Sequence, residues 1–498
     1  MELNKLSNIS DIIGQGNELP AEVFSFIMDL LSIIASQSKE IDNLKAELKR
    51  LQDQVKLDSH NSSKPPSSDK SHNRKEQKSP EENIKKTPGG QKGHRGTTLN
   101  KVDNPEHVIV QKRTSCLGCG CALLGSPVDG KDTRQVFDIP PLQLEVTEYQ
   151  AEIKTCPHCG LTNKASFPEG VEQPTQYGNN VRGLLIYLNN YQLLPYERTC
   201  EMFEDLFHHP ISQGTLLNTN QFAYQNLEEP ESFIKEQVAN SKVVRYDETG
   251  VYENKKRNWL HVASTSNYTY YFPHPKRGKE AMDAADILPN FNGVAVHDHW
   301  KPYNGYDNCD HAYCNSHHLR ELIRAEEQDD ATWATEMKEL LLEIKSTIDT
   351  AKDNGKNALE PLKLISFHEK YRQILAEGFK KYPDNSGNDP PKKGRKAQTK
   401  EKNLLDRLEK YETETLRFMH DFHVPFDNNM AERDLRMMKV KQKISGCFRS
   451  NQGTKQFCRI RGFISTIKKQ GKSILNPLKT VFHNPNQIIP LLQADVGV

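Results

Sequence analysis

The sequence predicts a multidomain α/β protein, and three observations support this class. The chain has 498 residues, which corresponds to three or four folding units. In its central part, segments with the two-residue alternation of strands follow segments with helical periodicity. Residues 60–95 contain almost no large apolar side chain, so they are predicted to be a linker between folded parts.

Composition limits the class of protein further. Lys and Arg number 67 against 66 Asp and Glu, so any attraction to nucleic acid must come from local clusters of charge. No apolar run reaches the length of about 18 residues that a membrane span requires. The start has no signal-peptide pattern, so we expect a soluble cytoplasmic protein. Ten cysteines are too sparse for a disulfide scaffold, which favours metal binding by closely spaced pairs.

Apolar residues between positions 27 and 55 recur at steps of three and four, interrupted only at Gln37. This pattern predicts a coiled coil through which the chain forms a homo-oligomer. An amphipathic helix that packs on its own domain is the alternative. The apolar positions are Ile27, Leu30, Ile34, Ile41, Leu44, Leu48, Leu51 and Val55.

The linker that follows is basic. Residues 60–113 contain twelve Lys and Arg against six Asp and Glu. A flexible arm with this charge can contact phosphates, although a simple solvated linker explains the composition equally well.

Two closely spaced cysteine pairs, each followed by glycine, predict a zinc ribbon. Four thiolates on two tight turns suit tetrahedral Zn²⁺, and the glycines let backbone N–H groups turn toward sulfur. Between the pairs, residues 143–153 alternate like a strand. A redox dithiol is the alternative, and Cys121 and His158 are possible substitute ligands. The predicted zinc ligands are Cys116, Cys119, Cys156 and Cys159.

Three short helices are predicted between positions 176 and 225, over residues 179–191, 196–207 and 211–225. The last two resemble a helix-turn-helix. Because residues 215–221, where the recognition helix would lie, contain no Lys or Arg, an ordinary helical hairpin is the simpler explanation.

Two predicted strands end in aspartate. Residues 242–250 form a strand that carries Asp247, and residues 293–298 form a later strand that ends at Asp298. A hairpin of two strands and a helix over 279–288 lie between them. This order is the opening of a ribonuclease H-like sheet, in which carboxylates at adjacent strands meet at one pole.

A third carboxylate is needed to hold a pair of divalent ions, and the best candidate is Glu432. It lies on a predicted helix with Arg436 and Lys439 at i+4 and i+7, on one face. Hard oxygen ligands select two Mg²⁺ or Mn²⁺ ions, which in such sites lie about 3.5–4 Å apart and assist phosphoryl displacement.

The region after this helix start is strongly basic. Residues 433–479 contain thirteen Lys and Arg against Asp434 alone, with aromatic residues and glycines between them. This composition predicts a phosphate-binding surface, although a solvated basic helix face is the alternative. The predicted DNA-binding residues are Arg436, Lys439, Lys443, Arg449, Arg459 and Arg461.

Taken together, these motifs resemble those of the transposases of the insertion sequence 66 family over nearly the whole chain. The matching segments are Asn-Ser-Ser-Lys-Pro-Pro-Ser-Ser-Asp at 61–69, Gly-Gly-Gln-Lys-Gly-His at 89–94, the two cysteine pairs, Tyr-Gln-Leu-Leu-Pro-Tyr-Glu-Arg at 191–198, Asp-Glu-Thr at 247–249, Cys-Asn-Ser-His at 314–317 and Asp-Asn-Asn-Met-Ala-Glu-Arg at 427–433.

The resemblance implies a bacterial DNA transposase with a ribonuclease H-like catalytic core. Asp247, Asp298 and Glu432 fall on the family's Asp-Asp-Glu (DDE) triad. Metal-dependent cleavage would free a 3′-hydroxyl at each element end, and that hydroxyl would attack target DNA. Cys314 and His317 would be structural or substrate-positioning residues, or simply a buried satisfied pair. Small accessory proteins and association with the nucleoid are also implied.

Seven segments are predicted along the chain. They are a helical coiled coil at 1–58, a basic flexible linker at 59–105, the zinc ribbon at 106–165, a helical domain with helix-turn-helix character at 166–238, the catalytic domain at 239–324 and 416–480, a helical insertion at 325–415, and a C-terminal tail at 481–498. Two other functions fit the same motifs: a nuclease that cuts without joining, and a DNA-binding repressor with a zinc ribbon.

Overall fold

The computed structural model describes residues 21–58, 60–62, 99–329, 331–382 and 398–493. These residues belong to two compact units. The first consists of the described residues within Met1–Lys75, Gly178–Pro195 and Leu217–Val498, and the second of those within Glu76–Tyr177 and Tyr196–Leu216. The division is coarser than the seven predicted segments. Most of the predicted basic linker lies outside the described residues.

The first unit begins with a long helix, α1 (Ala21–Val55), as the helical periodicity predicts. In the second unit, β1 (Ile153–Thr155) and β2 (Thr162–Lys164) pair antiparallel around one cysteine pair. The prediction of a strand over residues 143–153 is wrong for most of its length. Residues 143–152 have no regular structure and are largely exposed, so they have no partner strand among the described residues to complete their hydrogen bonds.

Four helices precede the main sheet, and the first three lie close to their predicted positions. They are α2 (Asn179–Ile186), which continues into a π-helical turn (Tyr187–Tyr191), α3 (Tyr196–Phe207), α4 (Gln213–Asn226) and α5 (Glu228–Ala239). α3 belongs to the second unit, α2 and α5 to the first, and α4 crosses the boundary between the units.

A five-stranded mixed sheet forms the centre of the first unit. Its strands are β3 (Val243–Glu253), β4 (Lys256–Ser264), β5 (Thr269–His274), β6 (Val294–His297) and β7 (Asp310–Tyr313), in the order β5-β4-β3-β6-β7. The first three form an antiparallel meander, whereas β6 and β7 run parallel to β3. A helix, α6 (Lys279–Ala285), lies between β5 and β6. These elements confirm the predicted mixed α/β class and the predicted order of strands and helix.

The close approach of β6 to β3 depends on a glycine. A Cβ atom at Gly293 would lie 2.4 Å from the backbone oxygen of Lys242 and 2.6 Å from the ring of Phe291. A side chain at this position would push the start of β6 away from β3. The parallel register of the two strands therefore requires glycine here.

A group of helices follows β7 and covers the predicted insertion. They are α7 (Asn315–Asp329), α8 (Thr332–Asp353), α9 (Pro361–Lys381), α10 (Lys400–Lys410) and α11 (Glu412–His420). Buried residues at steps of three and four along α8, such as Met337, Leu341, Ile344 and Ile348, pack in a core shared with β6 and β7.

The last helices return to the sheet. α12 (Asn429–Ser445) and α13 (Asn451–Lys469) pack on it, and α14 (Leu475–His483) and α15 (Ile488–Leu492) follow. Although residues 481–498 were expected to be a tail, Val481, Phe482, Ile488 and Leu492 are buried in the core. None of the described helices is long and apolar enough to cross a membrane.

Candidate active site

The two strand aspartates lie next to each other because of the parallel register. β3 and β6 are paired up to Arg245 and Val296. Two residues further along, on the same face of the sheet, the register brings Asp247 beside Asp298. Asp298 also accepts a hydrogen bond of 2.9 Å from the backbone N–H of Trp300, which orients its carboxylate directly after the strand ends.

Glu432 reaches the same place from the first turn of α12. Ala431, Leu435 and Met438 form the buried stripe of this helix and pack in one core with residues of β3 and β4. Glu432 is one position after the start of that stripe, so it lies at the edge of the helix that faces the sheet. Its side chain is about one quarter exposed.

Both other acids affect the electrostatics of Asp247, although the carboxylate oxygens of Asp247, Asp298 and Glu432 do not all lie within 4.8 Å of one another. Burial raises the pKa of Asp247 well above its usual value, and the charges of Glu248, Glu432 and Asp298 raise this pKa further. The protein thus concentrates negative charge at one point of the sheet. A bound cation would offset this repulsion.

Glu248, the neighbour of Asp247, is engaged within the fold. Arg277 donates two hydrogen bonds, of 2.7 and 2.9 Å, to one carboxylate oxygen, and the hydroxyl of Tyr303 donates to the other. The guanidinium of Arg277 stacks on Trp300, 4.0 Å from the ring centroid. Burial raises the pKa of Glu248, whereas Tyr303 and Arg277 lower it. Glu248 therefore has a structural role: its contacts hold the part of β3 next to Asp247 in position.

One loop residue, Asn428, ties the three acid-bearing segments together. Its backbone N–H donates to the sulfur of Cys314 over 3.1 Å, and its side-chain amide donates to the backbone oxygen of Tyr246 over 2.8 Å. Cys314 is in turn held to β6, since its N–H donates to the oxygen of His297 over 2.9 Å. Asn428 directly precedes α12, so these bonds fix the start of the helix that carries Glu432.

Cys314 and His317 lie beside Glu432. The potential ligand atoms of the three side chains are all within 4.8 Å of one another, and His317 Nε2 is 4.0 Å from Glu432 Oε1. Cys314 is fully buried, and burial raises the pKa of its thiol to about 12. Sequence reasoning identified the Cys314 and His317 pair and Glu432 separately but missed their contact and the role of Asn428.

The predicted zinc ligands form two similar turns in the second unit. Cys116 N–H donates to Cys121 O over 2.9 Å, and Cys156 N–H donates to Leu161 O over 2.8 Å. Gly120 and Gly160 have φ of 75° and 73°, as tight turns of this kind require.

The two turns also match in their electrostatics. Backbone N–H groups of Cys119 and Gly118 lower the pKa of Cys116, and those of Cys159 and His158 lower the pKa of Cys156. The structure does not gather three or more of the cysteine sulfurs into a cluster: among the described residues, the ligand cluster found is that of Cys314, His317 and Glu432.

The predicted DNA-binding cations separate into two groups. Arg436, Lys439, Lys443 and Arg449 are exposed on α12 and just beyond it, and Lys439 donates to the backbone oxygen of Gly250.

Arg459 and Arg461, by contrast, are turned into the fold. Arg459 pairs with Glu231 at 2.6 Å, and Arg461, 6% exposed, donates to the backbone oxygen of Asn190 over 3.2 Å. These two guanidinium groups contact other groups of the protein, and their predicted role as DNA contacts stays a prediction.

The comparison with known proteins gives the class and then the family. Residues 174–456 match the model described as "Transposase IS66 family", and residues 113–160 match "zinc-finger binding domain of transposase IS66". The protein is therefore a transposase with a zinc-finger domain. Because the first model covers more than half of the chain, the chain belongs to the IS66 transposase family. The insertion sequence 66 resemblance predicted from the motifs is thus confirmed.

Other comparisons add little. Residues 10–100 match a family of unknown function, DUF6444. No curated protein matches the chain. Among solved structures, a chain of the "Drosophila P element transposase strand transfer complex" is similar, with a TM-score of 0.30 and 10% identity over 62% of this chain and 95% of that chain. This similarity is too low to bear on the fold.

Proposed function

We propose that the protein is a DDE transposase of a bacterial insertion sequence, with a ribonuclease H-like core. In this proposal it binds the ends of its element, cleaves them in a metal-dependent reaction and joins them to target DNA. The observation that carries the proposal is the shared environment of Asp247, Asp298 and Glu432, which come from two parallel strands and a distant helix.

The residues present fit a pair of hard divalent cations. All three side chains offer carboxylate oxygens, the ligands that Mg²⁺ and Mn²⁺ prefer, and their mutual repulsion favours cation binding. Asp247, Asp298 and Glu432 would hold two such ions. The ions would stabilise the attacking and leaving oxygens of a phosphoryl displacement.

The chain's own residues would perform the remaining tasks. Arg277 and Tyr303 hold Glu248, which keeps the segment around Asp247 in place. Exposed cations on and beyond α12 would bind the phosphate backbone next to the acids, since sequence-independent DNA affinity comes from such contacts. These cations are Arg436, Lys439, Lys443 and Arg449.

We also propose that Cys116, Cys119, Cys156 and Cys159 bind one structural Zn²⁺ and that the zinc ribbon helps to recognise element ends. The matched turns and the lowered pKa of Cys116 and Cys156 support this proposal, because thiolates are the ligands of zinc. DNA binding would place the protein on the nucleoid, together with any accessory proteins of the element.

Self-association through α1 is the last part of the proposal. The apolar stripe of α1 is exposed: Leu44 is 60% and Leu48 58% accessible. Lys49 and Asp53 contact α7 from another face of the helix, so docking on the protein leaves this stripe uncovered. A second copy of the chain would cover it.

The heptad pattern of α1 favours a parallel, two-stranded coiled coil. Positions a are Ile27, Ile34, Ile41, Leu48 and Val55, and positions d are Leu30, Gln37, Leu44 and Leu51. β-branched residues at a with leucine at d favour parallel dimers. In that arrangement Glu40 at g faces Lys45 at e of the partner copy, an attractive pair.

The test of the catalytic proposal is the variant Asp298→Asn in a mobilisation assay with the element ends supplied on DNA. We expect mobilisation to fall by roughly a thousandfold or more, because loss of one residue of a catalytic set lowers the rate about as much as loss of the whole set. Asp307→Asn, at an exposed loop position in the same region, is the matched control and should keep wild-type activity.

A joining assay with a pre-cut end separates the transposase from the nuclease alternative. A transposase joins this DNA to a target, whereas a nuclease does not. If Asp298→Asn mobilises DNA as well as the wild type, the proposed catalytic triad is wrong. If the wild type binds the element ends but neither cuts nor joins them, a binding-only protein, such as a repressor, is favoured.

A further inference from the structure

The contact between Cys314, His317 and Glu432 is a cluster of mixed chemistry. One sulfur, one imidazole and one carboxylate have ligand atoms within 4.8 Å of one another. The three residues belong to different parts of the fold: Cys314 follows β7, His317 is in the first turn of α7, and Glu432 is in the first turn of α12. The cluster therefore forms only in the folded protein.

Two polar atoms in this cluster have no hydrogen-bond partner. Glu432 Oε1 and His317 Nδ1 are both buried and unpaired. Burying such groups without a partner is unfavourable, so native proteins rarely leave them unpaired without a reason. A ligand that accepts electron pairs from both side chains would remove this cost.

The donor set selects a different metal from the acid triad. Hard Mg²⁺ and Mn²⁺ bind oxygen, whereas thiolate and imidazole select Zn²⁺ or Cd²⁺. Three protein ligands with room for a fourth, exchangeable ligand is a common zinc arrangement. The backbone N–H of Asn428, which donates to Cys314 Sγ over 3.1 Å, is the kind of bond that steadies a metal-bound sulfur.

We propose that Cys314, His317 and Glu432 form a second site for one thiophilic divalent cation, Zn²⁺ or Cd²⁺, distinct from the zinc ribbon and from the acid triad. On binding, the Cys314 thiol releases its proton to solvent and the sulfur becomes a ligand. Because Glu432 is common to both sites, occupancy withdraws its carboxylate from the triad. This second statement rests on the proposed function, whereas cation binding itself does not.

The test measures bound zinc in the full-length protein by equilibrium dialysis without added Mg²⁺, because Mg²⁺ held at the triad would compete for Glu432. We expect Cys314→Ser and His317→Ala each to bind one zinc fewer per chain than the wild type. Cys309→Ser is the matched control, since Cys309 is a half-buried thiol of the same domain outside the cluster, and it should bind as much zinc as the wild type. His317 is partly exposed, so its variant should fold even if the Cys314 variant does not.

Further variants distinguish this site from the triad. Asp247→Asn should keep the wild-type zinc content, whether or not it keeps transposase activity. If Asp247→Asn also loses one zinc, the ion lies in the triad and the proposal is overturned. It is equally overturned if folded His317→Ala retains the full wild-type content.

The competition is measured with Mn²⁺, followed by electron paramagnetic resonance. We expect zinc to weaken Mn²⁺ binding by about tenfold in the wild type, the lower end of what metal-site perturbations produce, and to have no such effect in His317→Ala. Unchanged Mn²⁺ binding in zinc-loaded wild type would refute the withdrawal of Glu432.

Discussion

The three acidic residues and the two cysteine turns are positioned by different interactions. Asp247 and Asp298 are brought together by strand register, and Asn428 fixes the helix of Glu432 with bonds to two other segments. The two cysteine turns are each well formed by backbone hydrogen bonds, but the structure does not gather their four sulfurs. Strand register brings two of the three acids side by side, although the carboxylate oxygens of all three do not lie within 4.8 Å of one another. In our proposal the cysteine turns rely on a metal ion to join them.

The largest expected effect breaks the acid cluster. Asp247→Asn should lower cleavage and joining by roughly a thousandfold or more. It should nevertheless raise the midpoint of thermal unfolding in the presence of a chelator, because it removes a carboxyl group whose ionised form is disfavoured by burial and by Glu248, Glu432 and Asp298. Activity assays check the expected loss of cleavage and joining, and calorimetry checks the expected rise of the unfolding midpoint. A variant that loses activity and stability together would indicate that Asp247 is a structural residue instead.

Removing metal from the zinc-finger domain should have a large but local effect. Cys156→Ser should abolish zinc binding at the ribbon and increase hydrogen exchange within residues 113–160, since metal binding supplies folding free energy to such domains. Amides of β3 and β6 should exchange as slowly as in the wild type. Cys121→Ser, at an exposed neighbouring cysteine, serves as the control and should retain zinc. If amides of residues 113–160 and of β3 and β6 all exchanged faster in Cys156→Ser, the effect of metal loss would not be local and the prediction would be wrong.

The hydrogen bonds of Asn428 give an intermediate test. Asn428→Ala removes the donor to Tyr246 O, so we expect a loss of about 1–3 kcal/mol in unfolding free energy. Activity should fall by about a hundredfold, the cost of shifting a catalytic group by about 1 Å. Asn429→Ala, at the exposed first residue of α12, should cost less than about 0.5 kcal/mol. Denaturant titrations and joining rates for the two variants provide the comparison.

The sequence was sufficient for the parts of the site that depend on local pattern. Asp247 and Asp298 were predicted to be neighbours because each was assigned to the end of a strand. Asp298 does follow β6 directly, whereas Asp247 lies within β3, so the prediction of a strand-terminal Asp247 is wrong and the register of the two strands places the residues side by side. Asn428 was missed because its two partners, Tyr246 and Cys314, lie 182 and 114 residues away along the chain. A local sequence pattern carries no information about contacts between residues so far apart along the chain.

The basic region shows a second limit of sequence patterns. Arg459 and Lys443 belong to the same charged run, yet Arg459 pairs with Glu231 whereas Lys443 is exposed. Charge counts cannot distinguish these cases, because the difference depends on which face of a helix meets α5. The same holds for the strand predicted over residues 143–153, since alternation is a property of the segment and pairing is a property of its neighbours.

The smallest expected effect concerns the proposed dimer of α1. In a parallel dimer, Glu40→Lys creates repulsion with Lys45 of the partner copy in two symmetric places. Each altered pair should cost about 0.5 kcal/mol, which weakens the dimer only a few-fold. Glu47→Lys, which faces the neutral Gln52 in that register, is the matched control and should change dimerisation less.

Mixing two variants sharpens this prediction. Chains with Glu40→Lys and chains with Lys45→Glu each repel themselves, but together they restore two attractive pairs. Analytical ultracentrifugation of the mixture should therefore show heterodimers in preference to either homodimer. An antiparallel coiled coil, or a helix that covers its own apolar stripe, would give no such preference, because residues 40 and 45 would no longer face each other across the seam.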